Sequence, residues 1–121
     1  MDRKNYPHLA QPVGPYVNAE KHNGMLFLSG LTALGSSAQG RSIAEQMDAI
    51  CKSLTRIARS ERTDLSSLVK VTLFVTNLHF VKDLSAVWSE HFAGCAGSLV
   101  QIGKLLSPDI LVEAEAVLAL P

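Results

Sequence analysis

The sequence predicts an α+β protein, a two-layer sandwich in which two helices pack on one face of a mixed sheet. Three stretches carry that expectation. Ile43, Met47, Ile50, Leu54 and Ile57 recur at alternating steps of four and three, which draws one apolar stripe along a helix. Leu68 to Thr76 instead alternates at period two, with Val69, Val71, Leu73 and Val75 on one face and Lys70, Thr72, Phe74 and Thr76 on the other. The end of the chain alternates again, with Val112, Ala114, Ala116 and Leu118 opposite Leu111, Glu113, Glu115 and Val117.

Taken in order, residues 1–15 hold three of the five prolines and read as an extended lead-in. Residues 16–21 suit a short strand. Met25-Leu26-Phe27-Leu28-Ser29 suits a stronger one, closed by Gly30. Gly35 to Gly40 is a loop by composition. Ser42 can cap the first helix, and Glu45 stands three positions on, as a capping box requires. That helix should end near Ser60, with Asp48, Lys52, Arg56 and Arg59 facing away. A second helix is expected around residues 80–92, with Val81, Leu84, Val87, Trp88 and Phe92 on one side and Asn77 as its cap. Strands from Ser98 to Gly103 and from Ile110 to Leu120 follow, joined through Ser107-Pro108-Asp109. Strands linked by helices favour one sheet with both helices on the same side. The other side of such a sheet faces water or another subunit. Glu113 and Glu115 beside leucine and valine there suggest a partly buried subunit contact.

The totals bound the function. At 121 residues, residues 1–121 form one domain with one core. Eleven basic residues balance eleven acidic ones, so the surplus of cations that nucleic acid demands is missing. Lys52, Arg56, Arg59 and Arg62 lie close together, at a spacing that suits the exposed side of a helix. No apolar run approaches the roughly 20 residues of a membrane span, and no signal peptide follows Met1. Cys51 and Cys95 show no metal-type spacing and read as reduced thiols of a cytoplasmic protein. Cys95 fits a small packing residue better than a reactive thiol. His79 and His91, twelve apart, form no metal-binding pattern. No GxSxG, Walker or GxGxxG element occurs.

The layout of several short motifs is more specific. Gly14-Pro15-Tyr16, Leu28-Ser29-Gly30, Val69-Lys70-Val71-Thr72 with Phe74-Val75, and Val112-Glu113-Ala114-Glu115-Ala116 occur in an order and at separations that resemble the Rid (reactive intermediate deaminase, or YjgF) family. The resemblance runs from about Gly14 to Val117. It implies a chorismate-mutase-like fold and a homotrimer with small-molecule clefts between subunits. It also implies hydrolysis of enamines or imines, such as 2-aminoacrylate, to a carbonyl product and ammonia, with no metal or organic cofactor. Carried over residue by residue, the cleft tyrosine is Tyr16, the strand-end glycine is Gly30, and the glutamate that directs water is Glu113. Each has a plainer reading: Tyr16 as a packing residue, Gly30 as a strand terminator, Glu113 as a rim carboxylate.

One position departs from the family. The usual Pro-(small)-Arg-Ser stretch reads Cys95-Ala96-Gly97-Ser98, so Gly97 stands where an arginine grips the substrate carboxylate. Lysine copies such a bidentate clamp poorly. Three alternatives follow: a substrate that is larger or uncharged at that end, a cation supplied elsewhere (Lys104 is the nearest), or a site that no longer deaminates. The expected substrate-binding set is therefore Tyr16, Gly30, Gly97, Ser98 and Lys104. The leading function is a deaminase for an imine bulkier than 2-aminoacrylate. A metabolite-binding or regulatory trimer is the second reading, and the ribonuclease activity ascribed to some relatives is the weakest.

Overall fold

The computed structural model describes residues 1–92 and 94–121. Six strands form one sheet: β1 (Asp2–Lys4), β2 (Ala19–His22), β3 (Met25–Leu28), β4 (Leu68–Val75), β5 (Ala96–Gln101) and β6 (Val112–Ala119). Their order across the sheet is β1-β2-β3-β6-β4-β5. The β4–β5 pair is parallel and every other pair antiparallel, so the sheet is mixed. Two helices, α1 (Ile43–Ser60) and α2 (Val81–Phe92), pack side by side on one face. The two-layer α+β arrangement expected from the pattern is the one observed.

Helix α1 forms where the stripe lies. Ser42 is extended, and its hydroxyl accepts from the Glu45 amide at 3.2 Å while donating to the Glu45 carboxylate at 3.1 Å. Ile43, Met47, Ile50, Leu54 and Ile57 are all buried against Val71, Leu73, Val112, Ala114, Ala116 and Leu118 of the sheet. The small Ala114 and Ala116 on β6 suit the close approach of a helix. Gln46 is fully buried and fully bonded. Its amide donates to the carbonyls of Arg41 and Asp109 at 3.0 and 2.8 Å, and its carbonyl accepts from the Leu111 amide at 2.9 Å. One side chain thus fixes the entry into β6 against the start of α1.

Several expectations change. Val69 is not on the buried face; it is 41% exposed, and Leu68 is buried in its place. A bulge between Leu68 and Lys70 in the β4–β6 register inserts one residue and shifts the alternation by one step. Part of the lead-in is a strand: β1 pairs with β2, which starts at Ala19 rather than residue 16. Lys4 of β1 and Lys21 of β2 each hold the Glu61 carboxylate at 2.9 Å, tying both strands to the end of α1. Asn77 caps a short 3₁₀ turn over Leu78–Phe80 that leads into α2, not α2 itself. In α2, Leu84 and Phe92 are buried, whereas Val87 and Trp88 are partly covered at the margin of the core. Strand β5 begins two residues earlier than expected, at Ala96, and β6 spans the middle of its expected range.

Candidate functional site

A cleft of about 400 Å³ opens where the lead-in, the loop after β3 and the start of β6 meet. Asparagines fasten the lead-in that forms one wall. The Asn18 carbonyl group accepts from the Tyr6 amide at 3.0 Å, and the Asn18 amide donates to the Asn5 side chain at 2.9 Å. Tyr16 follows a tight turn in which its amide donates to the Gly14 carbonyl at 2.8 Å. Its ring lines the cleft and is 53% exposed. Behind it, the Ser29 hydroxyl donates to the Val17 carbonyl at 2.6 Å, which holds the end of β3 against the lead-in.

Gly30 and Glu113 form the floor. Leu31 and Ala114 exchange backbone hydrogen bonds of 2.7 and 2.9 Å, so the residues just after β3 lie directly beside β6. The Glu113 side chain then crosses Gly30: a β-carbon there would fall 2.6 Å from Glu113 Cδ. Any larger residue at this point would push the Glu113 carboxyl out of its place, so the glycine is what lets the carboxyl lie there. Burial, and secondarily the charge of Glu115, raise the Glu113 pKa above the ordinary glutamate value. No hydrogen bond or ion pair among the described residues opposes that shift. A half-buried carboxyl with a raised pKa, facing a cleft, is suited to exchanging a proton with water.

His8 also lines the cleft, beside Ser53 of α1. Its Nε2 is buried and makes no hydrogen bond of normal geometry among the described residues. Burial, followed by the nearby Arg56 charge, lowers its pKa, although the Ser53 backbone works in the opposite direction. The sequence reading missed His8 because a lone histidine in a proline-rich lead-in has no period or partner to mark it.

The remaining expected residues stay outside this cleft. Gly97 pairs with Val71 on β4 and lies on the helix side of the sheet, where a β-carbon would come within 2.9 Å of Trp88 Cζ2 and 3.0 Å of the Val71 carbonyl oxygen. Ser98 pairs with Thr72 and so belongs to the opposite face, exposed. Lys104 is exposed in the segment after β5. Tyr16, Gly30 and Glu113 are thus gathered by one chain, and Gly97, Ser98 and Lys104 are carried on or next to the sheet edge. Cys51 is buried, and burial pushes its thiol up to about 12; burial also raises Cys95. Neither is an activated nucleophile. Among the described residues no three His, Cys, Asp or Glu side chains gather as a metal ion would need.

The fold and the cleft define the class, an α+β, chorismate-mutase-like protein with a carboxyl at the base of a surface cleft. A family model described as endoribonuclease L-PSP matches residues 7–120, and the chain belongs to that family, the YjgF or Rid proteins. A chloroplast protein of Arabidopsis thaliana named reactive intermediate deaminase A is 30% identical over 112 residues, 88% of this chain and 60% of that one. A Lactococcus lactis protein whose name describes a candidate regulator, AldR, is 28% identical over 109 residues, 87% of this chain and 86% of that one. The solved structure of a candidate endoribonuclease from Thermotoga maritima has a TM-score of 0.86 at 26% identity and covers 100% of this chain and 99% of its own. Among the described residues no helix is long and apolar enough to cross a membrane.

Proposed function

We propose that the protein is a deaminase of the Rid type, one unit over residues 1–121, that hydrolyses an enamine or imine bulkier than 2-aminoacrylate to a carbonyl product and ammonia. The observation that carries this reading is Glu113, a half-buried carboxyl with a raised pKa laid across Gly30 at the base of a cleft walled by Tyr16. An imine carbon is already electrophilic. The site need only orient it, exclude competing nucleophiles and direct one water, and no cofactor enters the scheme. Glu113 draws a proton from water as the oxygen adds to carbon and passes it to nitrogen, then takes the remaining hydroxyl proton and delivers it to nitrogen as the C–N bond breaks, leaving a carbonyl and ammonia. Tyr16 and Gly30 shape the pocket around the reacting atoms.

The active form in this reading is a cytoplasmic homotrimer. The outer sheet face supports it, since Phe27 pairs with Val117 and Phe74 with Val100 there, and Phe27 and Val100 are exposed. Gly97, Ser98 and Lys104, on or just beyond the edge strand, would then border a neighbour's cleft. Without an arginine at Gly97, Lys104 or backbone amides meet the far end of a larger substrate.

The test is ammonia release from 2-aminoacrylate and from bulkier imines, each generated in situ by a lyase or an oxidase, with and without the protein. Acceleration that Glu113→Gln abolishes supports catalysis; no acceleration with any imine overturns it. A second reading, a trimer that binds a metabolite without turnover, is favoured by the glycine at the clamp position and by the regulator-like name of the Lactococcus relative. It predicts a rise in melting temperature with a metabolite that is not consumed.

A further inference from the structure

A pocket of about 550 Å³ lies where β1, β2 and the C-terminal end of α1 meet, and it shares no lining residue with the cleft. Lys4, Lys21 and Arg62 line it, with Leu120 as an apolar wall. Lys4 stands opposite the buried Ala19, and Lys21 lies two residues further along β2, so both point to the helix side of the sheet. The outer face, where the proposed assembly forms, is on the other side. Glu61 sets the two lysines in place, with one ammonium 2.9 Å from each carboxylate oxygen. An ammonium has three N–H donors, and the lysine side chains remain 32% and 30% exposed. Donors are left over for a ligand.

Arg62 is not part of that clasp. Its φ is 63°, in a turn where the Arg62 amide donates to the Arg59 carbonyl at 3.0 Å and the Thr63 amide to the Ala58 carbonyl at 2.9 Å. Glycine is the favoured residue in this left-handed position after a helix. Here the strained backbone carries an arginine instead, exposed and in no ion pair among the described residues. Arg59, in the last turn of α1, adds a further positive charge. Against these cations stand Glu61, Asp2 across from Lys21, and the helix end, worth roughly half a negative charge. The balance is positive.

We propose that this pocket binds a phosphoryl dianion, free or as a monoester, held by Lys4, Lys21 and the Arg62 guanidinium. A monocarboxylate would bring one charge and two oxygens, no more than Glu61 already supplies. A phosphoryl group carries up to two charges on three oxygens, enough to meet all three cations at once, and arginine matches it bidentately. Such a ligand leaves the Glu61 clasp intact and joins Arg62 to it. The site is independent of the deaminase reading, since imine hydrolysis can fail while the anion binds.

The test is calorimetry of the full chain with phenyl phosphate, inorganic phosphate and benzoate, at low salt and about pH 8, well above the second phosphate-ester pKa of about 6. Both phosphates should bind and raise the melting temperature, and benzoate should not. Tighter binding of phenyl phosphate assigns an ester whose body rests on Leu120; equal binding assigns free phosphate. Arg62→Gln should weaken both by about tenfold or more. Arg62→Gly should do the same while melting, without ligand, no lower than the parent, because glycine suits the left-handed backbone. No phosphate binding, equal binding of benzoate, or phosphate affinity that both Arg62 variants leave unchanged overturns the proposal. So does phosphate binding that Lys104→Ala abolishes, which would place the anion in the cleft.

Discussion

Glu113 is held in a position that costs stability, and in the proposed reaction that same burial would serve chemistry. Its pKa is raised on folding, so the charged form is the disfavoured one. The sign follows: its contribution is favourable below the ordinary glutamate pKa and is lost as pH rises through the raised folded value. Glu113→Gln should therefore raise the melting temperature at pH 7 by calorimetry, while imine hydrolysis falls about 10²-fold or more. A variant that loses activity and stability together would contradict this account. Gly97 makes a second prediction at this scale. Gly97→Ala pushes a methyl group against the Trp88 indole and the Val71 carbonyl, and should cost about 1–3 kcal/mol in denaturant unfolding. Trp88→Ala in the same chain should recover part of that loss, because the indole is the movable half of the clash. An arginine placed at Gly97 meets the same obstruction, so restoring the family residue alone does not restore a clamp.

Within elements, two side chains rank the forces that hold α1. Ser42→Ala removes one cap and should cost about 1 kcal/mol. Gln46→Leu is isosteric in outline but strands the carbonyls of Arg41 and Asp109 and the Leu111 amide. At about 1–3 kcal/mol for each orphaned group, it should be the more damaging change by a clear margin. Thermal melts of the two variants compare them directly. The helix itself was legible because Ser42, Glu45 and the Ile43–Ile57 stripe agree with one another. Gln46 was not, since a glutamine beside the stripe looks like any solvated residue until its three partners are brought to it. Val69 misled for a different reason: period two is counted along one strand, whereas a bulge depends on how the partner strand is read. Strand β1 is three residues of Asp, Arg and Lys, with no alternation to detect; it pairs with β2, and Lys4 and Lys21 converge on Glu61.

That convergence bears on the whole molecule. Burial alone would raise the Glu61 pKa, but hydrogen bonds and charge from Lys4 and Lys21 outweigh it and leave the carboxyl below its usual range. A depressed pKa adds stability above the ordinary glutamate value, and that stability disappears as pH falls through the folded value. Acid titration should accordingly loosen the β1–β2 end of the sheet first, and Glu61→Gln should flatten the acid limb of the stability curve while lowering stability at neutral pH. Hydrogen exchange at β1 and β2 across that range reads the effect. The outer face carries the assembly prediction: Val100→Glu should convert the proposed trimer to monomers by sedimentation without unfolding the chain. At this scale the motif order made the family and architecture readable. The cleft was only half readable, because Tyr16, Gly30 and Glu113 belong to recognisable motifs while His8 and Leu106 reach it through loops with no pattern.

The placement of β6 has a bearing on biosynthesis. Last of the six strands in chain order, it sits between β3 and β4, so the strands synthesised before it cannot close into a continuous sheet until it emerges from the ribosome. Until then β3 and β4 present bare edges to solvent. A premature stop ahead of Val112 would release a chain whose sheet is split between β3 and β4, a natural client for chaperones and proteases.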